Sequence, residues 1–241
     1  MCEVCGCADP RRVSLDVQTS LLSDNDRQAR HLREHFQRAG VLALNIMGSP
    51  GSGKTALLEA TARALAGRLR LAAVSGDLET ALDAERLARA GINSAPITTG
   101  SACHLDAAMV HDALHEPRLE AAVRDCQVFF IENVGNLVCP AIYDLGQAAN
   151  VVVLSVTEGV DKPLKYPVMF RKAQLVVLTK VDLLPHLPGV SLAALTANLA
   201  RVMPALSSIE LSATSGAGVG AFVDWLERRV RAQPAESRRG S

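Results

Sequence analysis

Gly48-Ser-Pro-Gly-Ser-Gly-Lys54-Thr55 fits the pattern G-x-x-x-x-G-K-[ST]. The apolar run Val41–Met47 precedes it and the helix-forming stretch Ala56-Leu-Leu-Glu-Ala follows it. A strand, a glycine loop and a helix in that order distinguish a phosphate-binding loop from a chance glycine cluster. Gly48, Gly51 and Gly53 allow successive backbone N–H groups, with those of Ser52 and Ala56, to converge on phosphate oxygens. The new helix adds the positive end of its dipole. Lys54 is placed to reach the β- and γ-phosphates, and the Thr55 hydroxyl to hold Mg²⁺. The implied ligand is a nucleoside triphosphate.

Outward from the loop, apolar runs alternate with helical patterns. Strands are expected at Val41–Met47, Leu71–Ser75, Val128–Ile131, Val151–Val156, Leu175–Leu178 and Ile209–Leu211. Helices are expected near Lys54–Ala66, Thr80–Ala90, Leu105–Leu114, Leu192–Val202 and Val219–Val230. Continuous apolar strands separated by helices predict an α/β P-loop NTPase, its mainly parallel sheet covered by helices on both faces. An earlier charged helix, capped by Asp24 or Asp26, is expected to run to about Ala39. The organisation so read is a cysteine-bearing segment over residues 1–25, a nucleotide-binding domain over 26–231 and a polar tail over 232–241.

The chain has 241 residues, enough for one α/β domain with a full core. Its formal net charge is zero, which argues against a general nucleic-acid or membrane-surface binder. No segment approaches the about 18 uninterrupted apolar residues of a membrane span, and Met1-Cys-Glu-Val-Cys lacks the marks of a secretion signal. A cytoplasmic location follows, where six cysteines are more plausibly thiols or metal ligands than disulfides.

Two stretches select the base. Thr179-Lys-Val-Asp182 follows the run Leu175–Leu178 at the carboxyl edge of a strand, where ligands of open α/β sheets bind. Asp182 can accept both donors of guanine's Watson–Crick edge, Lys180 can lay its stem over the base, and a backbone N–H near Ser212-Ala213 can reach O6. Adenine offers no matching pair of donors, so GTP is favoured over ATP. Glu132-Asn-Val-Gly135 reads as a D-x-x-G element with Glu for Asp: Glu132 facing Mg²⁺ through water, and Gly135 sensing the γ-phosphate. Asp77, ending the second strand, is a candidate to hold Mg²⁺ or the attacking water. No arginine stands out as a finger, so slow hydrolysis is expected unless a partner or second subunit helps.

Two cysteine constellations read as metal ligands. Cys2-x-x-Cys5-x-Cys7 can wrap one ion, planar thiolate and amine donors suiting Ni²⁺ and a tetrahedral set Zn²⁺. Cys103-His104 with Cys139 forms a second set, and Cys139 lies four residues past Gly135 in the segment expected to respond to the γ-phosphate. Cys126 reads as packing. His31 with His35, and His111 with His115, stand at i, i+4, a spacing that binds metal in some helices but is more often a solvated face.

These residues resemble the HypB family of nickel-inserting GTPases of [NiFe]-hydrogenase maturation. The resemblance rests on Gly48–Thr55, Gly76-Asp77, Cys103-His-Leu-Asp106, Glu132-Asn-Val-Gly-Asn-Leu-Val-Cys-Pro140, the stretch Thr157–Pro167, Thr179–Asp182 and Ser212-Ala-Thr-Ser-Gly216. It covers roughly residues 26–231 and reaches the N-terminal thiols. It implies a SIMIBI-class GTPase that dimerises with nucleotide. Nickel would bind at Cys2, Cys5 and Cys7, and nickel or zinc at Cys103, His104 and Cys139. A HypA-type zinc protein and the hydrogenase large subunit would be its partners. Thr179 stands where the family often has Asn, leaving guanine selection more to Asp182, and no histidine tract precedes the domain, so a carrier rather than a reservoir is expected. The competing readings are a urease-type nickel GTPase, which would show Cys-Pro-His, and a P-loop small-molecule kinase, which would need an acceptor pocket.

Overall fold

The computed structural model describes residues 10–100, 102–203 and 205–233. The strands are β1 (Leu42–Met47), β2 (Leu71–Asp77), β3 (Asn93–Thr98), β4 (Val128–Glu132), β5 (Ala149–Ser155), β6 (Leu175–Thr179) and β7 (Ser208–Glu210). They form one sheet in the order β3-β2-β4-β1-β5-β6-β7, every pairing parallel. Parallel strands need crossovers, and helices supply them. The longer helices are α1 (Pro10–Ala39), α2 (Lys54–Leu65), α3 (Leu82–Arg89), α4 (Ala107–Leu114) and α5 (Pro117–Asp125). Two short ones, α6 (Lys162–Lys165) and α7 (Pro167–Arg171), precede α8 (Leu192–Val202) and α9 (Val219–Arg231).

Period-two alternation sends each central strand's side chains to two cores. Leu42, Leu44 and Ile46 of β1 pack with Leu57 and Leu58 of α2 and Phe222 and Leu226 of α9. Ala43 faces the other way, with Phe129 and Ile131 of β4, against Leu32 and Phe36 of α1 and Val110 of α4. Met47 joins a third cluster with Val152, Phe170, Leu195 and Leu199 beneath α7 and α8. The doubly covered parallel sheet is therefore as expected. Among the described residues, no helix is long and apolar enough to cross a membrane.

Three expectations change. The helix expected from Asp24 or Asp26 begins at Pro10, so neither aspartate caps it and the boundary at 25/26 falls inside α1. Asn25 is buried there, its Nδ2 donating to Asp144 O and its Oδ1 accepting from Ala107 N, which binds α1 to the start of α4. A seventh strand, β3, lies at the sheet edge, and α5 follows Pro117. Cys2, Cys5 and Cys7, and the tail beyond Gln233, lie outside the described residues.

Candidate nucleotide and metal site

The strand order reverses around β1, which lies between β4 and β5, and the crevice at such a switch point is where doubly wound sheets bind ligands. The loop 48–53 rises from it. Gly51 and Gly53 adopt φ of 72° and 97°, the left-handed region that a side chain disfavours. At Gly48 the limit is space: a Cβ would lie 2.4 Å from Val153 O and 2.7 Å from Ser52 Oγ. Lys54 is buried, and its Nζ donates to Gly48 O and Ser49 O at 3.3 and 3.2 Å. Desolvation lowers its pKa, with the nearby Glu132 charge opposing the shift. The Ser49 and Ser52 hydroxyls are buried without a protein partner, polar groups suited to an anionic ligand.

Glu132, 2% exposed, ends β4 beneath this loop. It accepts from Thr55 Oγ1 at 2.7 Å and from Ser75 Oγ at 3.2 Å. Burial raises its pKa, opposed by those hydrogen bonds and by the Lys54 cation. A cleft of about 380 Å³ opens between the loop and β2, lined among others by Lys54, Thr55, Asp77, Asp83, Arg86 and Glu132. Asp77 is in place but partly committed: its Oδ1 accepts from Glu79 N and Thr80 N, and the first of these contributes most to lowering its pKa. The buried Thr55–Glu132 pair is therefore the better fit to a magnesium shell.

Asp83 and Arg86 are the residues that sequence reading missed. Arg86 lines the phosphate cleft, where sequence reading singled out no arginine as a finger. It is not free, however: Nε and Nη2 bind the two oxygens of Glu59 at 3.1 and 2.8 Å, and Nη1 reaches Asp83 at 3.1 Å. The Glu59 bond raises its pKa further. No motif marks these residues; only the folding of α3 against α2 assembles them.

The base-selecting residues gather at the carboxyl ends of β6 and β7, with a different division of work. The Thr179 hydroxyl donates to Ser52 O at 2.6 Å and Lys180 Nζ to Gly51 O at 2.7 Å, so both brace the phosphate loop. Lys180 adopts a left-handed φ of 60°. Asp182 is exposed rather than buried, which leaves its carboxylate open to an incoming base edge. Ser212 is buried, its Oγ accepting from Ser215 N and its N–H donating to Ala217 O, so of that pair Ala213 is the better placed backbone donor.

From Glu132 the chain runs along the phosphate loop. Asn133 N donates to Ile46 O and Asn136 N to Gly48 O. A Cβ on Gly135 would meet Pro50 N and Cα at 2.8 and 2.9 Å, so the two segments touch backbone to backbone. The segment then turns, Asn136 Oδ1 accepting from Val138 N, and delivers Cys139 to Cys103 and His104. The two sulfurs lie 3.1 Å apart and Cys103 Sγ is 3.9 Å from His104 Nδ1. The three ligand atoms all fall within 4.8 Å of one another. The His104 ring stacks on Tyr143 at 4.0 Å, and burial lowers its pKa, favouring the neutral form that ligates. The Cys139 thiol is raised, first by its hydrogen bond with Cys103. Cys126 is buried with a pKa pushed up to about 12, a packing thiol as expected.

One further residue joins the two sites. Asn133, 1% exposed, accepts at Oδ1 from Leu105 N at 3.1 Å and from Val134 N at 3.0 Å, and donates from Nδ2 to Asn45 Oδ1 at 3.1 Å. Leu105 immediately follows His104 and packs so closely on Gly76 that a Cβ there would meet it at 2.8 Å. The metal-ligand loop is thus held to the floor of the phosphate cleft from two sides.

Fold and loop together define a P-loop nucleotide-binding protein. Residues 42–209 match the CobW/HypB/UreG nucleotide-binding domain family. The chain is 50% identical over 213 residues to the hydrogenase maturation factor HypB of Rhizobium leguminosarum bv. viciae, covering 88% of this chain and 70% of that one. It is 40% identical over 224 residues to the hydrogenase/urease maturation factor HypB of Helicobacter hepaticus, covering 93% and 91%. The crystal structure of Helicobacter pylori HypB in complex with nickel superposes with a TM-score of 0.82 at 37% identity, covering 88% of this chain and 98% of that one. Archaeoglobus fulgidus HypB gives 0.78 at 38%, covering 87% and 100%. The chain belongs to the HypB family. The signal recognition particle receptor FtsY of Elizabethkingia anophelis at 16% identity and the cell division protein ftsY of Thermotoga maritima at 18%, each at a TM-score of 0.52, share the fold alone.

Proposed function

We propose that this chain is a GTP-hydrolysing nickel carrier of [NiFe]-hydrogenase maturation, in which nucleotide state sets the metal affinity of the Cys103–His104–Cys139 site. The observation that carries this reading is the segment Glu132–Cys139, one end of which accepts the Thr55 hydroxyl while the other supplies a thiol to the metal trio. The Rhizobium relative is named for hydrogenase maturation and the Helicobacter pylori neighbour holds nickel, which supports both the client and the cargo.

In this reading the loop N–H groups and Lys54 bind the phosphates, Asp182 and the Ala213 amide select guanine, and Gly135 senses the γ-phosphate. Thr55 and Glu132, with Asp77 nearby, would hold Mg²⁺, which neutralises charge on the β- and γ-phosphates. Asp77 and Glu132, both lining the cleft, would position the attacking water. Hydrolysis releases Gly135 from the γ-phosphate. The motion passes to Cys139 along the chain and to His104 through Asn133 and Leu105. Nickel, or zinc as a competitor, is the cargo of the trio, and the Cys2–Cys5–Cys7 segment is the carrier of a second ion.

The protein works as a nucleotide-dependent homodimer in the cytoplasm, with a HypA-type zinc protein and the hydrogenase large subunit as partners. Exposed Val138, Ile142, Leu164 and Val168 around Cys139 support a partner at that face. The Helicobacter hepaticus relative, named for hydrogenase and urease, favours a second client, so both apo-enzymes belong in a delivery assay.

The test is nickel titration of the purified protein and of a Cys2/Cys5/Cys7→Ala variant, each with GDP and with a non-hydrolysable GTP analogue. One tight site lost in the variant, and a weaker one whose affinity follows the nucleotide, support the reading. A Cys103-site affinity equal in both nucleotide states sinks the coupling.

A further inference from the structure

A separate group of ligating side chains lies where α1 and α4 end. From there α1 leads into β1 and α4 into α5. His111 is in the last turn of α4 and His115 is its C-terminal cap, one turn further on. Their ring centroids are 4.3 Å apart with planes inclined at 44°. His115 Nδ1 lies 2.8 Å from the His111 carbonyl oxygen. A carbonyl only accepts, so Nδ1 carries the proton and, in the neutral ring, Nε2 keeps its lone pair. His111 Nδ1 lies 3.4 Å from Asp112 Oδ1, and a carboxylate enforces the same tautomer.

An Nδ1–H held by a carbonyl or carboxylate, with Nε2 free, is the arrangement that orients metal-bound histidines. A merely solvated helix face asks for neither the contact between the rings nor the matched tautomers. α1 packs against α4 and contributes His35. This imidazole feels the charges of both His115 and His111, and its pKa is lowered, first by burial and then by Arg38. Glu120 of α5 opposes that shift but is paired with Arg124. His35 thus neighbours the pair, while among the described residues only Cys103, His104 and Cys139 bring three ligand atoms within 4.8 Å of one another.

We propose that His111 and His115 form a two-imidazole binding site for a borderline divalent ion such as Ni²⁺, Cu²⁺ or Zn²⁺, distinct from the thiol site. Imidazole donors suit these ions, and two histidines one turn apart on a helix can share one. With no thiolate among its ligands, the site exchanges its ion more readily than the Cys103 trio. The inference concerns binding alone and does not depend on the GTPase reading.

The test uses full-length protein with Cys2, Cys5, Cys7, Cys103 and Cys139 replaced by Ser, titrated with nickel chloride near neutral pH. Calorimetry is paired with NMR observation of the imidazole resonances. The five-serine protein, whose remaining thiol Cys126 is buried, retains one nickel ion, and paramagnetic broadening centres on His111 and His115. Adding His115→Asn weakens binding by about tenfold or more, whereas His35→Asn changes it far less. Both positions are exposed, so melting and GTP hydrolysis stay as in the parent. Absence of binding in the five-serine protein, broadening centred on His31, His104 or His186, or an affinity indifferent to His115→Asn overturns the proposal.

Discussion

Burial works against the charge on Glu132, while the Thr55 and Ser75 hydroxyls and the Lys54 cation work for it; burial prevails and the pKa rises. A carboxyl group whose folded pKa exceeds its unfolded value costs the fold stability at high pH. That cost is full above the folded pKa and vanishes below the ordinary carboxylate range. Gln can accept from Thr55 and turn its amide toward Ser75, so Glu132→Gln keeps the contacts and removes the charge. Calorimetry should therefore give the variant a higher Tm than wild type at pH 7, the gap closing as the pH falls through the carboxylate range. GTP hydrolysis should fall roughly a hundredfold, the scale of losing one well-placed electrostatic group. An unchanged rate would remove Glu132 from the catalytic set. At Gly135 the constraint is contact with Pro50. Gly135→Ala must part the two segments, costing about 1–3 kcal/mol in a denaturant melt and weakening the GTP analogue more than GDP. Equal loss for both nucleotides would show that Gly135 does not sense the γ-phosphate.

Two elements meet at Asn133: the segment leaving β4 and the loop that carries Cys103 and His104. Asn133→Ser is too short to hold Leu105 N, and an unpartnered buried amide costs about 1–3 kcal/mol. The expected result is a lowered Tm together with a nickel affinity that differs less between GDP and GTP-analogue states than in wild type. A lowered Tm with the wild-type ratio would make Asn133 structural only. None of this was legible in the sequence, where Asn133 is one letter between two motif residues. The phosphate loop, the stretches at the ends of β6 and β7 and the Cys103, His104 and Cys139 set were legible because each depends on a motif or on a strand end. Five strands were legible because buried parallel strands are unbroken apolar runs, and β7, a short edge strand, only through Ile209–Leu211 at its end. β3 was not: Asn93-Ser-Ala-Pro-Ile-Thr is polar, carries Pro96 and is exposed at alternate positions, as an edge strand tolerates. The start of α1 was missed because its first two turns lack a clear apolar period. Arg86 and Asp83 were missed because charge on an amphipathic helix reads as solvated surface until the helix is placed beside a cleft.

At the scale of the whole molecule, zero net charge and a covered sheet leave few surfaces fit for a partner. Val138 and Ile142, 52% and 41% exposed, flank Cys139 at the end of the segment that runs from the phosphate loop. Leu164 of α6 and Val168 of α7 are also exposed, and α7 packs against the Cys139–Ala141 turn. Under the proposed cycle, an apolar group so placed would change its presentation as Gly135 gains or loses the γ-phosphate. A two-fold partner would bury it and bring the two metal trios toward each other. Both side chains point into solvent, so Val138→Asp and Ile142→Asp should leave Tm nearly unchanged, as surface changes usually do. A charge in the centre of an apolar contact should abolish association, because burying it unpaired costs several kcal/mol. Light scattering behind size exclusion, with GDP and with the GTP analogue, makes the check. The wild type should become dimeric with the analogue, and the double variant should stay monomeric while nickel still binds at Cys103, His104 and Cys139. A double variant that dimerises normally would move the interface elsewhere. One that loses nickel as well as the dimer would show that the metal site is completed only by the second subunit.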